Sequence, residues 1–166
     1  MRGAAALKNR FSKKKIKMFL YLVHHGEAVD AASDPRRPLS EMGSIASRRI
    51  AVMVAAKGAK PEAIWHSGKY RARQTADILW RECNPLAENL AVHGLRPSDS
   101  TKWIIKRLLN LSSDTMLVGH VPHLDDLLRV LVADESTVFP VHGFVALQRF
   151  DNSWRECWRL TENRNS

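Results

Sequence analysis

The run Phe19-Leu20-Tyr21-Leu22-Val23 is apolar at every position, and that continuity narrows the fold more than any other feature of the chain. A strand with one face in water alternates apolar and polar residues. An unbroken run belongs to a strand covered on both faces, in the middle of a largely parallel sheet flanked by helices. The rest of the chain keeps the alternation of strand and helix that such a sheet requires. Ser40 stands at the N-cap position of a helix predicted from about Glu41 to Lys57, and Gly58 stops it. Ala63-Ile64-Trp65-His66-Ser67 reads as a second strand. Ala72, Thr75, Ala76 and Leu79 then recur at helical spacing until Asn84-Pro85 ends the helix.

A third helix follows from Trp103, Ile104, Arg107, Leu108 and Leu111, a strand from Thr115-Met116-Leu117-Val118, and a fourth helix from Leu124, Leu127, Leu128 and Leu131. Two last runs, Phe144 to Phe150 and Trp154 to Leu160, are parted by Asp151-Asn152-Ser153 and read as a hairpin. The expected fold class is α/β: a three-layer α/β/α sandwich with a mostly parallel central sheet and a C-terminal antiparallel hairpin.

The net charge of +9 suggests a nucleic-acid binder until its distribution is examined. Arg2, Lys8, Arg10, Lys13, Lys14, Lys15 and Lys17 all fall within the first 17 residues, which contain no acid. Without these seven, 19 basic residues face 17 acidic ones, a balance of +2. The expected organisation is therefore a basic, disordered leader over residues 1–17 and one domain over residues 18–166. Such a tail can touch nucleic acid or anionic lipid, but no nucleic-acid contact is expected from the folded domain. Met18 also fits an alternative start of the chain. No run approaches the roughly 18 to 20 apolar residues of a membrane helix, and the opening residues lack the apolar core of a secretory signal. A cytoplasmic protein is expected. Cys83 and Cys157 are too few and too far apart for a disulfide scaffold or a thiolate zinc site. They read as reduced core thiols, and the five tryptophans as core or interface packing.

Three polar clusters directly follow predicted strands: His24-His25-Gly26-Glu27, His66-Ser67-Gly68-Lys69-Tyr70-Arg71 and Gly119-His120-Val121-Pro122-His123. In open α/β sheets the carboxyl ends of the strands form the ligand crevice, so segments far apart in sequence converge on one site. Imidazoles with a guanidinium suit an anion such as a phosphoryl group. A metal centre built on His120-x-x-His123 with His24 or His25 lacks a carboxylate ligand pattern, so no metal and no cofactor is expected. His66, His93 and His142 read as ordinary polar or edge residues, with His142 placed to line the crevice rim.

With these residues in view, the chain resembles the histidine phosphatase superfamily, in its small branch typified by SixA phosphohistidine phosphatase. The family's strand ending in Arg-His-Gly is matched by His24-His25-Gly26, followed by Glu27-Ala28. Its Arg-Pro-Leu-Ser/Thr loop leading to a glycine is matched by Arg37-Pro38-Leu39-Ser40-Glu41-Met42-Gly43. Its Ser-x-x-x-Arg-Ala-x-Gln-Thr-Ala pattern is matched by Ser67 through Ala76, and its second histidine motif by Leu117 through Leu124. One such motif is weak; four in order, spanning Met18 to about Leu160, are specific.

The resemblance implies a metal-independent phosphatase in which His25 attacks phosphorus and becomes a phosphohistidine. Arg71 and His120 complete the catalytic set, and His24, Arg37, Gly26 and Ser67 form the binding set around the phosphoryl oxygens. The substrate it implies is protein phosphohistidine, as on a histidine-containing phosphotransfer domain in signal transduction. The alternatives are a small-molecule phosphomonoesterase and a weakly active or inactive phosphate-binding or phosphoprotein-binding module. One departure stands out: His24 occupies the family's arginine position, replacing a forked, permanently charged donor with one that donates singly. His25 is taken as the nucleophile because it precedes Gly26, whose missing side chain would let the phosphate approach. Glu27 reads as a structural acid that orients a histidine or caps a turn, and Arg36 competes with Arg37 for the same role.

Overall fold

A computed structural model describes residues 17–161; the expected leader, apart from Lys17, lies outside the described residues. Six strands form one sheet in the order β3-β2-β4-β1-β5-β6: β1 Phe19–His24, β2 Ala63–His66, β3 Glu88–Ala91, β4 Thr115–Gly119, β5 Phe144–Phe150 and β6 Ser153–Leu160. Strands β3, β2, β4 and β1 run parallel, β5 returns antiparallel to β1, and β6 closes the hairpin. The helices are α1 Glu41–Ala56, α2 Tyr70–Cys83, α3 Thr101–Leu108 and α4 His123–Val132.

Alternation along β1 explains the two covering layers. Tyr21 and Val23 join Ile50, Ala51 and Val54 of α1 and Ala72, Ala76 and Leu79 of α2 in one buried cluster. Leu20 and Leu22 join Ile104 and Leu108 of α3 and Leu124, Leu127 and Leu128 of α4 in another. The apolar run is thus covered on both faces, as its composition demands, and the α/β/α sandwich follows. Among the described residues no helix is long and apolar enough to cross a membrane.

Three features differ from the sequence reading. Strand β3, Glu-Asn-Leu-Ala, carries no apolar alternation because it is an edge strand paired only with β2, and its side chains are mostly exposed. Cys157 is an exposed residue of β6, while Cys83 is half-buried, with burial pushing its thiol up to about 11; neither is a fully buried core thiol. Trp103 is 58% exposed on α3, so of the core or interface role expected for it the core one does not hold.

Candidate active site

Register builds the site. In the parallel pairing His24 lies opposite Gly119 and His66 opposite Val118, so the residues that follow β1, β2 and β4 emerge side by side. The His25 N–H donates to Gly119 O at 3.2 Å, stitching the two histidine-bearing segments together. Rings of His25 and His120 stand 4.8 Å apart, edge to face.

Arg71, on the first turn of α2, reaches both. Its Nε–H donates to His25 Nε2 at 3.0 Å and its Nη2 group to His120 Nδ1 at 3.4 Å. A guanidinium only donates, so each of those ring nitrogens carries a lone pair. His25 must then hold its proton on Nδ1, which donates to Gly26 O at 2.7 Å. His120 must hold its proton on Nε2, which donates to Ser67 Oγ at 2.7 Å. Ser67 Oγ also accepts from Lys69 N–H at 3.3 Å, so neither bond uses its hydroxyl hydrogen.

Neighbouring residues fix this set in place. Thr75 Oγ1 donates to Arg71 O at 2.9 Å and accepts from Gly26 N–H at 3.1 Å, tying α2 to the end of β1. Gln74 accepts from Leu39 N–H at 2.7 Å and so anchors the loop that carries Arg37. Arg37 is half-buried with a left-handed backbone (φ 51°), and its Nε–H donates to Val29 O at 3.3 Å. Arg36 is exposed and paired with Asp34 at 2.9 Å, which leaves Arg37 as the arginine that faces Arg71 electrostatically.

Gly26 lacks a side chain for a packing reason. A Cβ there would run into Ser47 Oγ and come within 2.9 Å of Gly43 O, so the glycine admits the close packing of α1. Glu27 accepts from Ser40 Oγ at 3.1 Å, while Ser40 Oγ accepts from Gly43 N–H as the α1 cap; its carboxylate belongs to the helix start.

On the far side of His25 stands His142, a residue that sequence reasoning left at the crevice rim. Its backbone N–H donates to His24 Nδ1 at 2.8 Å, its ring Nδ1–H donates to His25 O at 2.7 Å, and its ring stacks on that of His24 at 4.8 Å. No spacing pattern marks it; the sole local hint is Gly143 beside it, where a Cβ would meet Leu160 O and Pro140 at 2.6 Å. Gln74 and Thr75 were also missed as supports, although both fall inside the matched motif. His66 caps its own turn by accepting from Gly68 N–H at 3.1 Å, and His93 is an exposed ring against Trp103. His123 is buried behind His120 on the first turn of α4.

Ring nitrogens of His24, His25 and His142 lie within 4.8 Å of one another, close enough for three imidazoles to hold a metal ion after small shifts. Each of the three already commits a nitrogen to the backbone, and the Arg71 guanidinium occupies the remaining nitrogen of His25. That bonding presents cationic and N–H groups, the set an anion wants.

Electrostatics agree with the hydrogen bonds. Burial, followed by neighbouring imidazoles and Arg71, pushes His24 down to about 3; burial does the same to His25 against the opposing bond to Gly26 O, and burial and then the Arg71 charge do so to His120. All three are neutral in neutral water. Burial and the charge of Arg37 lower the Arg71 value as well, but a guanidinium stays charged.

No protein-family profile matches the chain. An uncharacterised protein of Picosynechococcus sp. is 33% identical over 121 residues, which cover 66% of this chain and 70% of that protein. Among solved structures, a SixA protein from Agrobacterium tumefaciens aligns with a TM-score of 0.75 at 24% identity, covering 87% of this chain and 97% of its own. The protein histidine phosphatase SixA complexed with tungstate aligns at 0.76 and 23% with the same coverage. A phosphoglycerate mutase from Plasmodium falciparum aligns at 0.68 and 16%, over 86% of this chain and 89% of that one. The chain belongs to one family with the Picosynechococcus protein, and it shares the fold of the SixA and phosphoglycerate mutase structures.

Proposed function

We propose that this protein is a phosphatase that removes a phosphoryl group, with protein phosphohistidine as substrate, through a covalent intermediate on His25. One observation carries the reading: His25 is a neutral imidazole whose Nδ1–H is held by Gly26 O and whose Nε2 lone pair accepts from the Arg71 guanidinium. That is the state a nitrogen nucleophile needs. The SixA structure complexed with tungstate, an oxyanion of phosphate-like shape, has the same fold and supports an oxyanion as ligand.

In the first step the Nε2 lone pair attacks phosphorus, the bond from phosphorus to the substrate nitrogen breaks, and the leaving imidazole takes a proton from solvent. The His25 ring becomes cationic, and Gly26 O stabilises that charge through Nδ1–H. Arg71 gives up its bond to Nε2 and turns its N–H groups to the phosphoryl oxygens, joined by Arg37, the Ser67 hydroxyl and His120; positioning and charge compensation do most of the work in such transfers. Water then attacks the phosphohistidine, the nitrogen–phosphorus bond breaks, and phosphate and a proton leave. Because Glu27 is engaged at the start of α1, a labile phosphoramidate, whose leaving group asks least of a general acid, fits better than an ester. The two cysteines, with no disulfide between them, suit a reducing compartment such as the cytoplasm.

The test is phosphate release from a phosphorylated histidine-containing phosphotransfer domain and from a generic phosphate ester, in wild type and His25→Ala. Release by wild type and not by His25→Ala is expected, with the phosphoramidate preferred. Preference for the ester shifts the substrate class to a phosphomonoesterase; phosphate binding without release by the wild type removes the catalytic reading and leaves a binding module.

A further inference from the structure

Of the imidazoles gathered at the site, three cannot accept a proton without breaking a bond that already holds them. His25 Nε2 and His120 Nδ1 face Arg71, which only donates, and His24 Nδ1 faces the backbone N–H of His142. A second ring proton on any of these would set donor against donor. His142 is different. Its Nδ1 already donates to His25 O, and its Nε2 has no hydrogen-bond partner among the described residues. It is also the half-exposed member of the group, at the rim where water reaches, so a proton can arrive at Nε2 without disturbing anything.

We propose that His142 is the switchable cation of the phosphoryl site: it takes up one proton as an oxyanion binds, and its imidazolium supplies the positive charge that His24, locked neutral, does not. This inference rests on the phosphoryl-binding reading above and deepens it. His142 stacks on His24 at 4.8 Å and stands 5.9 Å from the His25 ring, so its charge lies close to a phosphoryl group held at His25. The groups it faces are His24 at the end of β1, His25 just after it and, beyond His25, Arg71 of α2 and His120 just after β4. None of these bears negative charge, so the arriving anion itself is what favours the proton. His24 meanwhile keeps Nε2–H as a fixed donor, its tautomer set by His142 N–H. Oxyanion affinity should accordingly weaken as pH rises, approaching about tenfold per pH unit, the limit for one linked proton.

Tungstate is the probe, because as a dianion it takes up no proton itself in neutral to alkaline water. Calorimetric titration of the full chain with tungstate, in buffers of different ionisation enthalpy between about pH 7 and 9, counts the protons taken up. Wild type should take up close to one, and its affinity should fall with pH. His142→Asn keeps a side-chain N–H for His25 O and tolerates the left-handed backbone (φ 51°), so it should bind tungstate with no uptake and a flat pH profile. His142→Gly, which suits the same backbone, is the second variant should the first misfold. Uptake that persists unchanged in either variant, or wild-type binding that is flat with pH, overturns the proposal while leaving a phosphatase intact. Absence of any tungstate binding overturns both this inference and the phosphoryl-site reading, whereas tungstate binding with proton uptake but no turnover overturns the catalytic reading alone.

Discussion

On one side of His25 stand Arg71, His120 and Ser67, joined by bonds of 2.7 to 3.4 Å around one permanent charge. On the other stand His24 and His142, two stacked rings held by backbone groups, with no permanent charge between them. The first side carries a charge that no ordinary pH removes. The second offers neutral donors and one protonatable nitrogen, so its contribution depends on the solution around it. In the proposed phosphatase the two together make an anion clamp with an adjustable flank.

The comparison breaks most visibly at Arg71. Removing the permanent charge by Arg71→Ala should lower kcat/KM by about 10²- to 10³-fold, the cost typical of losing one preorganised donor to a developing oxyanion. Arg71→Lys should recover little, because a single ammonium cannot reach His25 and His120 together as the guanidinium fork does. Phosphate release from the phosphohistidine substrate measures both. A loss at Arg71 no greater than at His142 would mean that the two sides are equivalent after all.

The flanks can next be made alike. His24→Arg in a His142→Asn background places a permanent, forked donor where the stacked rings now lie, and should raise kcat/KM about 10- to 150-fold over His142→Asn alone, matching about 1.5 to 3 kcal/mol for a charge-assisted bond. In the wild-type background the gain should be smaller, since the His142 ring occupies the space 4.8 Å away. Loss of turnover in both backgrounds would show that the rings are not standing in for an arginine.

The same contrast explains what the sequence could reveal. Arg71, Gln74 and Thr75 lie within one short segment after β2, and their spacing sets them on one end of α2, so the motif announces the clamp. His120 follows β4 in the same way. His142 is 118 residues from His24 and 117 from His25, and meets them only because β5 runs antiparallel beside β1, with Val23 opposite Phe144. No periodicity encodes that meeting. Likewise the buried strands were legible from unbroken apolar runs, while β3 was not, because an edge strand held chiefly by backbone bonds to β2 asks nothing of its side chains. Gly26 was legible as a required glycine, yet its reason, the packing of Ser47 and Gly43 of α1 against it, emerged only from the contact.

The remaining effect is thermodynamic, is read one proton at a time and touches both flanks. His24, His25 and His120 are held near 3 in the fold against about 6.5 in the unfolded chain, chiefly by burial. Their folded values are lowered, so between about pH 6.5 and 3 the unfolded chain binds protons that the folded chain refuses. Stability is therefore full above about pH 6.5 and falls as pH drops, by up to about 1.4 kcal/mol per pH unit for each imidazole. Denaturant unfolding at a series of pH values should show this acid slope. His24→Asn should make it shallower by one proton, and His120→Asn by the same amount, because both rings are excluded from water to a similar degree. A slope unchanged by His24→Asn but reduced by His120→Asn would place the burial cost on the Arg71 side alone, and would mean that the His24 ring already carries a proton in the folded protein.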